Sequence, residues 1–200
     1  MIAGAIGDGE NTAKAIGQIL EANPGPVTFI VNSPGGDAME GAAICALLER
    51  HGQVTCYVAG LAASAASLAI MGASRIIMHR AAHLMIHEPS AITAGRAQEL
   101  RDTADALDKI GRTYAEVYSR ATGHPVERIA KWMADETWMT AEEALALRFC
   151  DEVDEEPAQA RTVAAFDYTR FKAAPAQLLR LAKEKGWAAP SPALQQQGAD

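Results

Sequence analysis

Apolar residues along the first ninety positions fall into two kinds of run. One kind is short, β-branched and nearly unbroken: Val27–Asn32 reads VTFIVN and Val54–Ala59 reads VTCYVA. Such runs predict strands buried on both faces, the habit of a parallel sheet. The other kind recurs every three to four residues. In ENTAKAIGQILEA the apolar positions are Ala13, Ile16, Ile19 and Leu20, which predicts a helix capped by Asn11 or Thr12 and stopped by Pro24-Gly25-Pro26. Asp37 caps a second predicted helix, with Met39, Ala43, Leu47 and Leu48 as its apolar positions and an end near His51-Gly52. Ile2–Ile6, Arg75–His79 and Leu84–His87 read as further short strands. Gly60 is expected to end the strand begun at Val54, with the run AASAASLAIM continuing as a helix of small residues. Alternating strands and helices predict an α/β fold with a parallel sheet and right-handed crossovers.

The texture changes after Pro89. From about Thr93 to Ala121 no proline intervenes, and Leu100, Ala104, Leu107, Ile110, Tyr114, Val117 and Tyr118 keep helical spacing, so one long helix or two in series are expected. Val126–Ala134 predicts another helix. Thr140 and Glu143 form a capping box opening a helix over Ala141–Leu147. Cys150–Val153 reads as a last edge strand, and the acidic run Asp154-Glu155-Glu156-Pro157 as a boundary. Beyond it lie an amphipathic segment, Pro175–Trp187, and a low-complexity end, APSPALQQQGAD. The domain is therefore expected over 1–153, with 154–200 a partly flexible extension.

Composition narrows the function classes. The chain has 200 residues, 49% apolar and 22% charged, which is enough for a self-sufficient core. Its 18 basic against 25 acidic residues, with no basic cluster, argue against a nucleic-acid partner. Cys45, Cys56 and Cys150 share no CxxC spacing, so no metal site is read and three reduced, buried thiols are expected. No apolar run is long enough to predict a membrane span, and no signal peptide is apparent at Met1. The expected setting is the cytoplasm.

Four features carry candidate chemistry. Gly35-Gly36 follows a buried strand, either as a tight turn or as a place where a backbone N–H is presented to an oxyanion. Ser64 sits where a helix begins, among Ala62, Ala63, Ala65 and Ala66. It reads either as an N-cap or as a nucleophile beside unpaired helix N–H groups. The segment lacks the G-x-S-x-G pattern, since Gly60 lies four residues back, so an α/β-hydrolase is disfavoured. Ser67, one turn on, is a weaker candidate facing the helix interior. His87 stands at the carboxyl end of a predicted strand, where α/β sheets place their sites. His51, His79, His83 and His124 compete with it. Asp135-Glu136 precede Trp138-Met139-Thr140 and offer a carboxylate to orient an imidazole, or a solvated helix end.

The ordered segments NSPGGD, GLAASAASLA, LMIHEP and DETWMTAEEALAL, ending in DEV, resemble the Clp protease proteolytic subunit family of serine peptidases over roughly Ile2 to Val153. More narrowly, they resemble its phage and prophage branch of head-maturation proteases. The resemblance implies a crotonase-like spiral of ββα units with a protruding handle, about 90–134, and homo-oligomeric rings joined through its long helix. It implies Ser64 as nucleophile, His87 as general base, and the Gly36 and Ala65 N–H groups as the oxyanion hole. No cofactor or metal is implied. The family's acid, an aspartate before an x-aromatic-apolar-Ser/Thr run, falls on Glu136, with Asp135 as the alternative. The implied activity is ATP-independent cleavage of polypeptides, capsid or scaffold proteins in particular, in a host cytoplasm or a procapsid. Only a strand remnant precedes Gly7, which puts an AAA+ unfoldase partner in doubt. Three rivals stand beside this reading: a peptidase subunit serving a host unfoldase, an inactive scaffold ring, and a crotonase-fold acyl-CoA enzyme. The last would not need both Ser64 and His87.

Overall fold

The computed structural model describes residues 1–155 and 165–188. The chain divides into two compact units, residues 1–164 and 165–200. The first is an α/β unit around a seven-stranded sheet. Its strands β1 (Ile2–Ala3), β2 (Val27–Ser33), β3 (Val54–Ala63), β4 (Arg75–His79) and β7 (Glu152–Asp154) lie parallel in that order. Phe29, Val31, Cys56 and Val58 are buried in it, as their unbroken apolar runs predict.

The crossovers follow the sequence closely. Helix α1 (Ala13–Ala22) is capped by Thr12, whose side chain accepts from the Ala15 N–H. Asn11 instead ties down the entry of the chain, donating from Nδ2 to the carbonyls of Ala3 and Ala5. The predicted strand Ile2–Ile6 is accordingly reduced to two residues, with Ile6 making a separate bridge to Gly36. Helix α2 (Ala38–His51) has its Asp37 cap and a left-handed Gly52 at its end. The capping box opening α6 (Ala141–Ala146) is present in both directions, Glu143 N–H to Thr140 Oγ1 and Thr140 N–H to the Glu143 carboxylate.

Strand β3 is longer than expected. Gly60 does not end it. The residue lies against the Asn32 side chain, where a Cβ would stand 3.0 Å from Oδ1, so glycine answers close packing rather than a turn. The extra length gives β3 two partners on the edge away from β2: Thr55–Val58 pair with β4, and Leu61–Ala63 pair with β5 (His83–Ile86). A strand that the apolar pattern does not reveal, β6 (Thr137–Thr140), pairs antiparallel with β5.

Between β5 and β6 runs the handle. Helix α4 (Ala97–Thr122) has 26 residues and α5 (Val126–Ala134) nine. At about 1.5 Å rise per residue α4 is roughly 39 Å long. Its first half contains no buried residue, and its buried positions, Tyr114, Ala115, Tyr118 and Thr122, lie in its second half. The expected start at Thr93 recedes to Ala97, with Arg96 and Glu99 forming the cap.

Asp154 belongs to β7, and its carboxylate accepts from the Tyr57 hydroxyl at 2.7 Å. The acidic run thus begins inside the sheet. In the second unit, a 3-10 turn (Tyr168–Arg170) and helix α7 (Ala176–Glu184) are described, with Phe166, Tyr168 and Phe171 rings in mutual contact. The low-complexity end lies outside the described residues. Cys45, Cys56 and Cys150 are free and buried. Burial pushes the Cys45 and Cys150 thiols up to about 11 and the Cys56 thiol up to about 12, which keeps them protonated.

Candidate active site

Ser64 joins the end of β3 to α3 (Ala65–Ile70), and its backbone is strained. Its φ of 55° and ψ of −127° form a conformation that side-chain-bearing residues rarely adopt and that costs about 1–3 kcal/mol. The surroundings hold it there. The Ser64 N–H donates to the Met85 carbonyl at 3.0 Å, and the Ser64 carbonyl accepts from the Leu68 N–H at 3.2 Å. The hydroxyl does not cap α3. It stands 2.7 Å from Nε2 of His87. The N-cap reading of this serine is therefore set aside by the geometry.

The room for that turn comes from across the chain rather than from glycines beside the serine. A Cβ on Gly35 would sit 2.6 Å from the Ser64 Cβ and 2.7 Å from the Ala63 carbonyl oxygen. At Gly36, whose φ is 150°, a Cβ would run into the Ile6 carbonyl. Ile6 takes the Gly35 carbonyl and the Asp37 N–H as its partners, one on each side of Gly36, so this bridge does not use the Gly36 N–H. Ala65 is the first residue of α3, where no intrahelical partner exists for its N–H. Gly36, Ser64, Ala65 and His87 all line one cleft of about 360 Å³, together with Leu107, Ile110 and Tyr114 from α4.

His87 follows β5 directly. The antiparallel register pairs Ile86 with Thr137. Just beyond that last pair, Glu136 lies near enough to His87 for its charge to act on the imidazole. Glu136 is only 8% exposed, and its φ is 54°. Its Oε1 accepts from the indole N–H of Trp138 at 3.2 Å. Burial lowers the His87 pKa from its ordinary value, while the charges of Glu136 and then Glu88 act to raise it. The imidazole is thus held neutral near pH 7, the state able to accept a proton. Asp135 closes α5 and is exposed. It pairs with Lys131, one turn back, at 2.6 Å.

The structure thus brings Ser64, His87, Gly36, Ala65 and Glu136 to one place and leaves Asp135 out. The other histidines have local duties. His51 Nε2 lies 2.9 Å from the Asn23 carbonyl, and His79 Nδ1 accepts from the Ala81 N–H. His124 Nε2 lies 3.0 Å from the Leu147 carbonyl. His83 is a β5 residue paired with Leu61 and Thr140. Two features of the site escape the sequence: strand β6, which delivers Glu136, and a buried contact between Ser67 and Tyr118. The four-residue spacing of Tyr114 and Tyr118 puts both on one helix face but does not say what they touch.

The Clp protease family model matches residues 7–157. The chain belongs to the Clp protease family. Clp protease members are serine endopeptidases that act on polypeptides and assemble into homo-oligomeric rings. The chain is 33% identical over 153 residues to ATP-dependent Clp protease proteolytic subunit 2 of Thermobifida fusca, covering 73% of this chain and 75% of that one. It is 37% identical over 137 residues to ATP-dependent Clp protease proteolytic subunit 1 of Protochlamydia amoebophila, covering 66% of each. A mutant ClpP1 from Listeria monocytogenes superimposes with a TM-score of 0.68 at 22% identity, over 78% of this chain and 90% of that one. That likeness shows that the Clp protease fold is shared. Among the described residues, no helix is long and apolar enough to cross a membrane.

Proposed function

We propose that this chain cleaves peptide bonds with Ser64 as nucleophile, His87 as general base and Glu136 as the acid that orients the imidazole. The observation that carries the reading is the 2.7 Å contact between Ser64 Oγ and His87 Nε2 at the start of a helix. In this mechanism His87 takes the hydroxyl proton as Oγ attacks the substrate carbonyl. The Gly36 and Ala65 N–H groups receive the oxyanion, each contributing about 3 kcal/mol to lowering the barrier. The imidazolium then protonates the departing amine, and water repeats the cycle on the acyl-enzyme. Glu136 stabilises the imidazolium, and Trp138 holds Glu136.

The substrate reading is narrower: capsid or scaffold polypeptides, cleaved without ATP, by a ring joined through α4. It rests on GDAMEG, GLAASAAS and ETWMTAEEA and their likeness to the phage branch. The names of the bacterial relatives favour a second reading, a subunit that serves an ATP-driven unfoldase.

Fluorophosphonate labelling, with light scattering on each sample, tests the chemistry. Labelling lost in Ser64→Ala and His87→Ala supports it, and labelling that persists in Ser64→Ala rejects it. Cleavage of an unstructured scaffold polypeptide by the protein alone supports the ATP-independent reading. Cleavage that appears only with an unfoldase and ATP supports the second.

A further inference from the structure

Behind Ser64 lies a hydrogen-bonded group that the proposed mechanism does not use. Ser67, fully buried one turn into α3, has its Oγ 2.7 Å from the Ser64 carbonyl and 2.7 Å from the Met85 carbonyl. The same oxygen is 2.8 Å from the hydroxyl of Tyr118, which is also buried, on α4.

Proton counting fixes the direction of this chain. The two carbonyls can only accept, and Ser67 has one proton to give. If Ser67 gave it to Tyr118, neither carbonyl would receive it. With Tyr118 donating to Ser67, and Ser67 donating to the carbonyl pair, every group is served. Burial holds the Tyr118 phenol above its ordinary value, so it remains a neutral donor.

The two carbonyls hold the rest of the machinery. The Ser64 carbonyl belongs to the strained residue itself. The Met85 carbonyl also accepts the Ser64 N–H, and Met85 lies two residues before His87 on β5. Ser67 therefore sits between the nucleophile's turn and the strand that carries its base. A serine in an apolar core is costly unless satisfied, and here its three contacts all serve that junction. A phenylalanine at 118 would fill the same space against Phe149, whose ring centroid lies 5.9 Å away, but would offer no proton.

We infer that Tyr118 and Ser67 are positioning residues: Tyr118 orients the Ser67 hydroxyl, which pins the Ser64 and Met85 carbonyls and so holds Ser64 Oγ within reach of His87. This rests on Ser64 being the nucleophile. Tyr118 lines the same cleft with its ring, and Tyr118→Phe keeps that ring and removes only the hydroxyl bonded to Ser67, so loss of the hydroxyl pair lowers kcat and leaves KM alone. A misplacement of well under 1 Å at a nucleophile lowers rates by roughly ten- to a hundredfold.

The test is a double-mutant cycle with Tyr118→Phe, Ser67→Ala and both together, on the full chain, beside Ser64→Ala. Three quantities are read: the second-order rate of fluorophosphonate labelling, kcat and KM on a fluorogenic peptide, and the thermal midpoint. Each single variant is expected to lose roughly tenfold in labelling rate and kcat, with KM within twofold. The double variant is expected to lose no more than Ser67→Ala alone, since Tyr118 acts only through Ser67. A Tyr118→Phe enzyme with parental labelling and kcat overturns the positioning role, whatever its thermal midpoint. So do losses that multiply in the double variant, or losses confined to KM. Labelling absent from the parent, or surviving Ser64→Ala, overturns the serine reading and the inference with it.

Discussion

His87 and Glu136 are the residues immediately beyond the last pair of the β5–β6 ladder, Ile86–Thr137, and the charge of Glu136 acts on the His87 imidazole. Asp135, one residue earlier at the end of α5, is paired with Lys131. Of the two adjacent acids, Glu136 is the one whose charge acts on that imidazole.

Replacing Glu136 by Gln keeps the shape and removes the charge. Turnover is expected to fall by roughly 10³–10⁴. The parent's kcat/KM should rise with pH through a midpoint below the ordinary histidine value of 6.5, because burial lowers His87. Glu136 acts in the other direction, so its neutralisation should move the midpoint lower still. The same shift enters stability: a lowered histidine contributes stability above 6.5 that is lost as pH falls through its folded value. Asp135→Asn should leave both rate and midpoint near the parent's. A pH–rate series on the three enzymes decides this, and a large loss in Asp135→Asn would transfer the role.

Glu136→Asp keeps the charge but shortens the reach from a backbone fixed at φ 54°. About ten- to a hundredfold less kcat/KM is expected, from displacement of the carboxylate rather than its loss. Full activity in this variant would mean that the acid's position is not demanding.

Strain at Ser64 can be measured by comparing two inactive variants. Ser64→Gly and Ser64→Ala both lack the hydroxyl, but only glycine tolerates φ 55° with ψ −127°. The glycine variant is expected to be the more stable by about 1–2 kcal/mol in urea unfolding, the reverse of the usual order. Equal midpoints, or alanine ahead, would show that the turn holds no such strain.

Gly35→Ala places a Cβ 2.6 Å from that of Ser64 at a φ of 98°. Both the clash and the backbone conformation oppose it. A loss of about 2–3 kcal/mol, with fluorophosphonate labelling abolished in the folded fraction, is the expected result. Labelling at the parental rate would show that the Ser64 turn can move aside freely.

Much of the fold was open to reading because its signals are local. Val27–Asn32 and Val54–Ala59 announce buried strands by composition, and Asp37, Thr140 and Glu143 announce helix starts by capping chemistry. Gly60 misleads because a glycine that makes room for Asn32 looks, in one dimension, like one that makes a turn. Strand β6 hides because TWMT is short and its pairing partner lies some fifty residues away. The same distance conceals which carboxylate meets His87. Ser64 and His87 were legible as candidates, but the 2.7 Å between them depends on β3 running on to pair with β5. The Ser67–Tyr118 contact joins two helices and leaves no mark in either segment alone.

Because β5 and β6 pair directly, the handle, residues 88–135, leaves the core and returns to it at the same spot. Closing such an excursion depends only weakly on its length, about 0.6 kcal/mol per doubling. Its outer part, from about residue 91 to about residue 106 and short of the cleft residue Leu107, could therefore be lengthened, trimmed or exchanged between relatives with little effect on the site. The stretch bearing Tyr114 and Tyr118 has no such freedom, since Tyr114 donates to the Ala38 carbonyl and Tyr118 reaches Ser67. Diversification among relatives should then be graded along a single helix, free at its tip and restricted where it meets the cleft.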